Sequence, residues 1–312
     1  MALYLNTNIA SLFAARSLNN ITQSINTSYK RLSSGLRINS AKDDPSGLAI
    51  SNRFTSEING LSQGNRNASY GIALAQTAEG AVDEITTMLQ RVRILALQSA
   101  NGTYTENDRL SLQEEVQSLC AEITRISCKT TFAGEKILAG ANQGLVDGDN
   151  KVKIQVGAYA NDTVDIDLSQ GYSLAKLFSR ATGSELKIVG ADTAENLGLK
   201  LDKEIGNGEI CFSVSSQKSA QSTLNILDKF INTVDLGRGR LGAVQNRFES
   251  IIRNQGNIIE NLSDARSRIR DADYAFETAN LASLSIRQQA SVAMLTYANK
   301  QGNLILSLLQ NL

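Results

Sequence analysis

Few side chains in this 312-residue chain could do chemistry, and their spacing argues against each usual reaction. Histidine is absent, which removes the commonest general base and the commonest metal ligand together. Two acidic pairs, Asp43-Asp44 and Glu114-Glu115, occupy adjacent positions. Neighbouring helix positions do not face each other, so these pairs read as a helix start and a solvated helix face, not as an acid–base dyad. Cys120, Cys128 and Cys211 are odd in number and irregularly spaced, which fits neither a disulfide framework nor a zinc knuckle. No electropositive partner is identifiable that would lower a thiol pKa, so they read as small, partly buried side chains. The expectation is no catalytic residue, no cofactor and no metal.

The purpose of the chain must then lie in its elements. The 31 basic and 31 acidic residues cancel, so no basic face for nucleic acid is expected, and no block of like charge suits an anionic membrane. Apolar residues make up 42% but aromatics only 5%, with no tryptophan. Compact cores draw much of their area from aromatics; here alanine, leucine, isoleucine and valine must pack, which suits long helices side by side. The opening "MALYLNTNIASLFAARSLNN" has no charged leader before an apolar block, so no ordinary secretory signal is expected. The most apolar stretch, "LILSLL", is far too short for a membrane span, and no membrane insertion is expected.

Leu18, Ile21, Ile25, Tyr29 and Leu32 recur at steps of three and four, one stripe on one helix face, and a helix is expected from Asn6 to Ser33. Gly35 ends it. Asp44 suits an N-cap and Pro45, the only proline, suits a first helical position, so Ser34 to Asp44 is a linker. Ala75, Ala78, Val82, Ile85, Leu89, Val92 and Ala96 alternate steps of three and four. After Asn101-Gly102, Leu112, Val116, Leu119, Ile123 and Ile126 resume the rule. A repeat averaging 3.5 residues is a coiled-coil seam, and the short loop predicts an antiparallel pair.

The middle changes character. Val152, Ile154 and Val156 answer Val164, Ile166 and Leu168 across "NDT", a β-hairpin pattern. A second alternating pair flanks Gly206-Asn207-Gly208. Helical periodicity returns at Leu224 and continues through Leu227, Ile231 and Val234. After a slip around Gly237–Gly239, Leu241, Val244, Phe248, Ile251, Ile258, Leu262 and Ile269 share one seam, with Gln255 and Ala265 filling it. The last segment is alanine- and leucine-rich and predicted helical.

The expected fold is mainly α: a long antiparallel coiled-coil bundle built from both ends of the chain, with a small β-rich insertion. The expected division is 1–44 for the N-terminal helix and linker, 45–139 and 220–272 for the two parts of the coiled-coil core, 140–219 for the hairpin and variable region, and 273–312 for the terminal helix. The two ends should pack on each other. Short isolated helices are marginal in water, so two readings stand. Either the ends complete their fold among many copies, by head-to-tail contacts that yield open filaments, or they dock on the chain's own bundle.

The residues "LNTNIASLFAARSLNNITQSINTSYKRLSSGLRINSAKDDPSGLAISNRF", "LQRVRILALQSANGTYTENDRLSLQEEVQSLCAEITRI", "TFAGEKIL", "KVKIQVGA", "LGAVQNRFESIIRNQGNIIENLSDARSRIRDADYA" and "NKQGNLILSLLQ" resemble bacterial flagellin. The resemblance covers roughly residues 1–170 and 221–312; residues 171–220 match nothing in it, and three cysteines are unusual for it. It implies a structural subunit of the extracellular helical filament that a rotary motor turns for swimming. On assembly the terminal helices would form an inner tube and the longer helices an outer tube, with the middle projecting. It implies export through a type III apparatus without a cleaved signal, an export chaperone on the C-terminal helix, and contacts with filament cap and hook-junction proteins.

On the residues, the resemblance implies assembly positions at Ile9, Leu18, Ile21, Ile25, Leu32, Leu281, Leu284, Leu295, Leu304 and Leu308. Gly35, Asp44 and Pro45 would form the bend between the tube layers. It also implies a surface read by a host Toll-like receptor at Gln90, Arg91, Leu95, Gln98, Glu115, Leu227 and Ile231; position 94, commonly acidic, is Ile94 here. The hydrophobic members of that set are also packing positions. An inserted zinc protease, as some flagellins carry, needs two histidines one turn apart and is excluded. A hook–filament junction protein and a secreted coiled-coil binding module are the rival readings.

Overall fold

A computed structural model describes residues 7–140, 151–182, 199–202 and 209–310. The elements are α1 (Ile9–Ser34), α2 (Pro45–Ala100), α3 (Glu106–Lys129), β1 (Thr131–Phe132), β2 (Glu135–Lys136), β3 (Lys151–Gln155), β4 (Thr163–Asp167), α4 (Leu174–Thr182), β5 (Leu199–Asp202), β6 (Glu209–Phe212), α5 (Gln217–Arg270) and α6 (Tyr274–Gln310). The fold is mainly α, with strands confined to three two-stranded antiparallel sheets, β1-β2, β3-β4 and β5-β6, among the described residues.

Helices α1, α2, α3 and α6 start where a side chain takes an orphan N–H. Asn8 Oδ1 accepts from Ser11 N, so α1 begins at Ile9, later than expected. Asp44 Oδ1 accepts from Gly47 N at 2.9 Å ahead of Pro45. Thr105 and Asp108 form a reciprocal capping box on α3. Asp273 Oδ1 accepts from Ala275 N and Phe276 N ahead of α6. α1 stops at Gly35, whose left-handed φ of 70° lets its N–H return to Arg31 O at 2.8 Å.

By its contacts the chain forms two compact units, Gly60–Asn257 and Met1–Asn59 with Ile258–Leu312. In the first, Ala75, Ala78, Val82, Ile85, Leu89, Val92 and Ala96 are all fully buried, as their spacing predicts. α2 and α5 run antiparallel, because their side-chain links fall in opposite order along the two helices. Arg93 pairs with Asp228, Asp83 with Arg238, and Glu79 with Gln245. α3 returns along α2, with Arg91 and Glu115 paired at 2.6 Å.

The predicted β3-β4 hairpin forms, with Val152 opposite Ile166 and Ile154 opposite Val164, but its turn is longer than the expected "NDT": Val156 and Leu168 lie just outside the strands and Thr163 lies inside one. It is strapped to the helices by backbone contacts: Asn67 Nδ2 donates to Gln155 O and Gln255 Nε2 to Val156 O. Gly64 permits this approach, since a Cβ there would overlap the Val156 carbonyl. At the other sheet, Gln113 donates to Phe212 O and accepts from Val214 N at 2.6 Å, and Phe212 meets Phe230 edge-on at 5.3 Å.

The structure departs from the sequence reading in four places. α5 runs unbroken through Gly237–Gly239; Gly237 is buried where a Cβ would strike the Tyr172 hydroxyl, so the slip marks a close approach, not a break. On α3 the buried face carries Arg109, Gln113, Val116, Cys120, Ile123, Thr124 and Ser127, while Leu112, Leu119 and Ile126 sit half-buried beside it. The middle region also contains helix α4, whose Leu174, Leu177 and Phe178 join the core. The two-residue β1-β2 hairpin turns on Ala133 and Gly134, both at positive φ, as a type I′ turn requires. Residues Gly206-Asn207-Gly208, the expected second turn, lie outside the described residues, but β5 and β6 pair around them. Cys120 and Cys211 are buried and Cys128 half-buried.

Candidate assembly surface

The unit holding both ends of the chain is built on α1 and α6. They lie antiparallel: Asn8 Nδ2 donates to Ala298 O at 2.7 Å, Ser11 Oγ to Asn299 Oδ1 at 2.8 Å, and Ser28 Oγ to Glu277 Oε1 at 2.5 Å. Glu277 is buried, with the Arg31 guanidinium 3.6 Å away, so the pair is pinned by polar contacts at both ends. The segments after α1 and before α6 hold each other. Arg37 N donates to Arg270 O, Ala272 N donates to Gly35 O, and Leu36 bridges Asp271. Asp43 closes the following loop, accepting from Ser40 Oγ and from the N–H groups of Ser40 and Asn39. These hydrogen bonds, that from the Ser40 side chain foremost, hold its carboxyl below the ordinary range.

The residues picked by spacing fall mostly on the face where α1 meets α6. Ile25 and Leu284 are buried; Leu18, Ile21, Leu32, Leu281 and Leu295 are half-buried. Ile9 is exposed. Leu304 and Leu308 belong to α6, with side chains outside the described residues. Gly35, Asp44 and Pro45 occupy the helix stop, cap and first helical position.

Periodicity passed over the outward side of this pair. Leu12, Phe13, Tyr274, Phe276, Ile286, Val292, Met294 and Tyr297 are all exposed, Phe13 at 74% and Tyr297 at 71%; Tyr29, which spacing puts on one stripe with Ile25, is exposed as well. Ala10, Phe13, Ala14, Ser17, Ala290, Ser291, Met294, Tyr297, Ala298 and Lys300 line a groove of 680 Å³. Single exposed apolar residues need no explanation, but the groove brings Phe13, Met294 and Tyr297 together, and clustered exposure of that kind marks an interaction surface. Aromatic content was the available signal: a chain with 5% aromatics spends several on helices whose buried faces do not use them.

The other set of named residues separates by burial. Leu95 and Leu227 are core residues and Ile231 packs against that core. Gln90 and Arg91 are exposed, Glu115 is half-exposed beside Arg91, and Gln98 donates to the Tyr104 hydroxyl at 2.8 Å. Among the described residues no helix is long and apolar enough to cross a membrane.

The family model of the bacterial flagellin N-terminal helical region matches residues 5–143, and that of the bacterial flagellin C-terminal helical region matches residues 224–309. Polar flagellin F of Vibrio parahaemolyticus is 36% identical over an alignment covering 99% of this chain and 100% of that protein. Flagellin B of Vibrio cholerae is 37% identical over the same shares. Among solved structures, a putative flagellar hook-associated protein from Vibrio parahaemolyticus shares the fold, with a TM-score of 0.53, 16% identity, and coverage of 73% of this chain and 100% of that one. Matched at both ends by the family's own helical regions and along almost its whole length by its curated members, the chain belongs to the bacterial flagellins.

Proposed function

We propose that the outward apolar side chains of α1 and α6 are the contacts through which copies of this chain polymerise. Flagellins are structural subunits that self-polymerise into the flagellar filament, and this chain is such a subunit, not an enzyme. The observation carrying the proposal is a row of exposed side chains, Phe13, Met294 and Tyr297, that share one groove on a helix pair already satisfied on its inner face. Burying such a row against neighbouring copies removes apolar area from water at about 25 cal/mol per Å². The contacts are head-to-tail, the kind that leaves a helical polymer open to growth. In that polymer α1 and α6 form the inner tube, α2, α3 and α5 the outer one, and Gly35 to Pro45 the crossing.

The finer assignments extend the same reading. The filament is extracellular and drives swimming. The subunit leaves the cell through a type III apparatus, with a chaperone shielding residues 273–312, and meets cap and hook-junction proteins at the filament ends. Free monomer is recognised by a Toll-like receptor through Gln90, Arg91 and Glu115, while buried Leu95 and Leu227 hold the helices that present them. Negative-stain microscopy of purified chain after heating, cooling and salt addition tests the central proposal: long uniform fibres are expected, and their absence under every condition refutes it. Arg91→Ala should lower receptor signalling by monomer without changing the melting curve; undiminished signalling would remove the receptor assignment.

A further inference from the structure

The chain has three methionines, and the described pair contrast sharply. Met88 is half-buried against the core of Gly60–Asn257. Met294 is 66% exposed and lines the α1–α6 groove with Phe13, Ala14 and Tyr297. Thioether oxidation follows access to the sulfur, and it turns a flexible apolar side chain into a polar one that disrupts methionine-bearing interfaces.

From this we infer that Met294 is an oxidation site that governs whether a free subunit can join a polymer. The inference rests on the reading above that a second copy covers this groove. The oxidant is a peroxide. With hydrogen peroxide, a sulfur lone pair attacks one oxygen, the S–O bond forms as the O–O bond breaks, and the proton of the transferred oxygen passes to the departing hydroxide, which leaves as water. Sulfur loses two electrons and the peroxide gains them. The sulfoxide then presents a strong hydrogen-bond acceptor in a groove lined mainly by alanine, phenylalanine, methionine and tyrosine, with Ser17, Ser291 and Lys300 as its polar members; an apolar face of a second copy pressed onto it supplies no donor, and that burial is unfavourable. In the polymer the same sulfur is covered, so assembled chain resists the oxidant that disables free chain. A sulfoxide reductase reverses the change.

The test treats full-length monomer and preformed filaments with hydrogen peroxide, maps sulfoxides by peptide mass spectrometry, and follows polymerisation. Met294 in monomer should oxidise about tenfold faster than Met88 and about tenfold faster than Met294 in filaments. Oxidised monomer should lose polymerisation and regain it with sulfoxide reductases. Whatever its own level of assembly, Met294→Leu should polymerise equally with and without peroxide, which separates the methionine from the three cysteines. Equal oxidation of Met88 and Met294, undiminished polymerisation of chain carrying sulfoxide at 294, or peroxide sensitivity retained in Met294→Leu would each overturn the inference. Unoxidised Phe13→Asp separates this from the reading beneath it: normal polymerisation by that variant sinks the groove as an interface, whereas its failure beside assembly-competent sulfoxide sinks only the switch.

Discussion

The two compact units solve the same problem, burying apolar faces of long helices, to different degrees of completion. Between Gly60 and Asn257 the seam is finished within the chain. Ala75 to Ala96 are fully buried at every seam position, and the polar groups that enter the core, such as Gln113 and Ser99, find backbone partners. In the unit holding both termini the face between α1 and α6 is finished, and Ile38 and Ile58 are buried too, but other apolar side chains of those two helices are left uncovered. Ile25 and Leu284 are buried on the finished face, while Phe13, Ile286, Met294 and Tyr297 stand in solvent. One unit is closed to partners in its core. The other carries an apolar surface that further copies can cover, which is what a polymerising subunit requires.

Removing Asp273 to Leu312 breaks this comparison most severely. Filaments should be lost altogether while Gly60–Asn257 keeps its cooperative unfolding transition; fibres grown from the truncated chain would contradict the division of labour. Leu89→Asp attacks the finished seam. A charge in a fully buried site without a partner should cost about 3–5 kcal/mol, read as a large drop in melting temperature. Gly64→Ala is a milder probe of the same unit. The methyl group would meet the Val156 carbonyl, and forcing the hairpin away should cost about 1–3 kcal/mol in chemical denaturation. Cys211→Ser should leave filament formation intact, since the thiol does no chemistry in this account; failure to polymerise would reveal a role for it.

The smallest effect concerns acid. Hydrogen bonds from Thr105, its hydroxyl foremost, hold the Asp108 carboxyl below the ordinary range, as those from Ser40 do for Asp43. A carboxyl with a lowered folded-state pKa stabilises above its unfolded pKa, and that contribution is lost as pH falls through the lowered value. Protection of the Asn39, Ser40 and Thr105 amides, taken relative to their intrinsic exchange at each pH, should therefore fall in acid, in both units alike. Acid protection confined to one unit would show that the two caps are not equivalent.

What the sequence determined was everything governed by local rules. Gly35, Asp44 and Pro45 mark a helix stop and start because only certain residues tolerate a left-handed backbone, cap an N–H or lack one. The 3.5-residue spacing of Ala75 to Ala96 marks a buried stripe because a helix has a fixed pitch. Strict alternation through Val152, Ile154, Val164 and Ile166 marks two strands because successive side chains leave a strand on opposite faces, though it does not fix their register or the length of their turn. Tertiary structure decided which apolar residues had partners. Spacing sends Leu284 and Ile286 to different faces of α6, but nothing local says that the first face is covered and the second meets water. Nor does spacing announce that Gly64 and Gly237 are sites of close approach, or that Gln113 and Cys120 displace Leu112 and Leu119 from the buried face of α3. Periodicity fixes the direction in which a side chain leaves its helix; only the packed neighbours fix whether it meets protein or solvent, and the surface left to solvent is the one on which assembly depends.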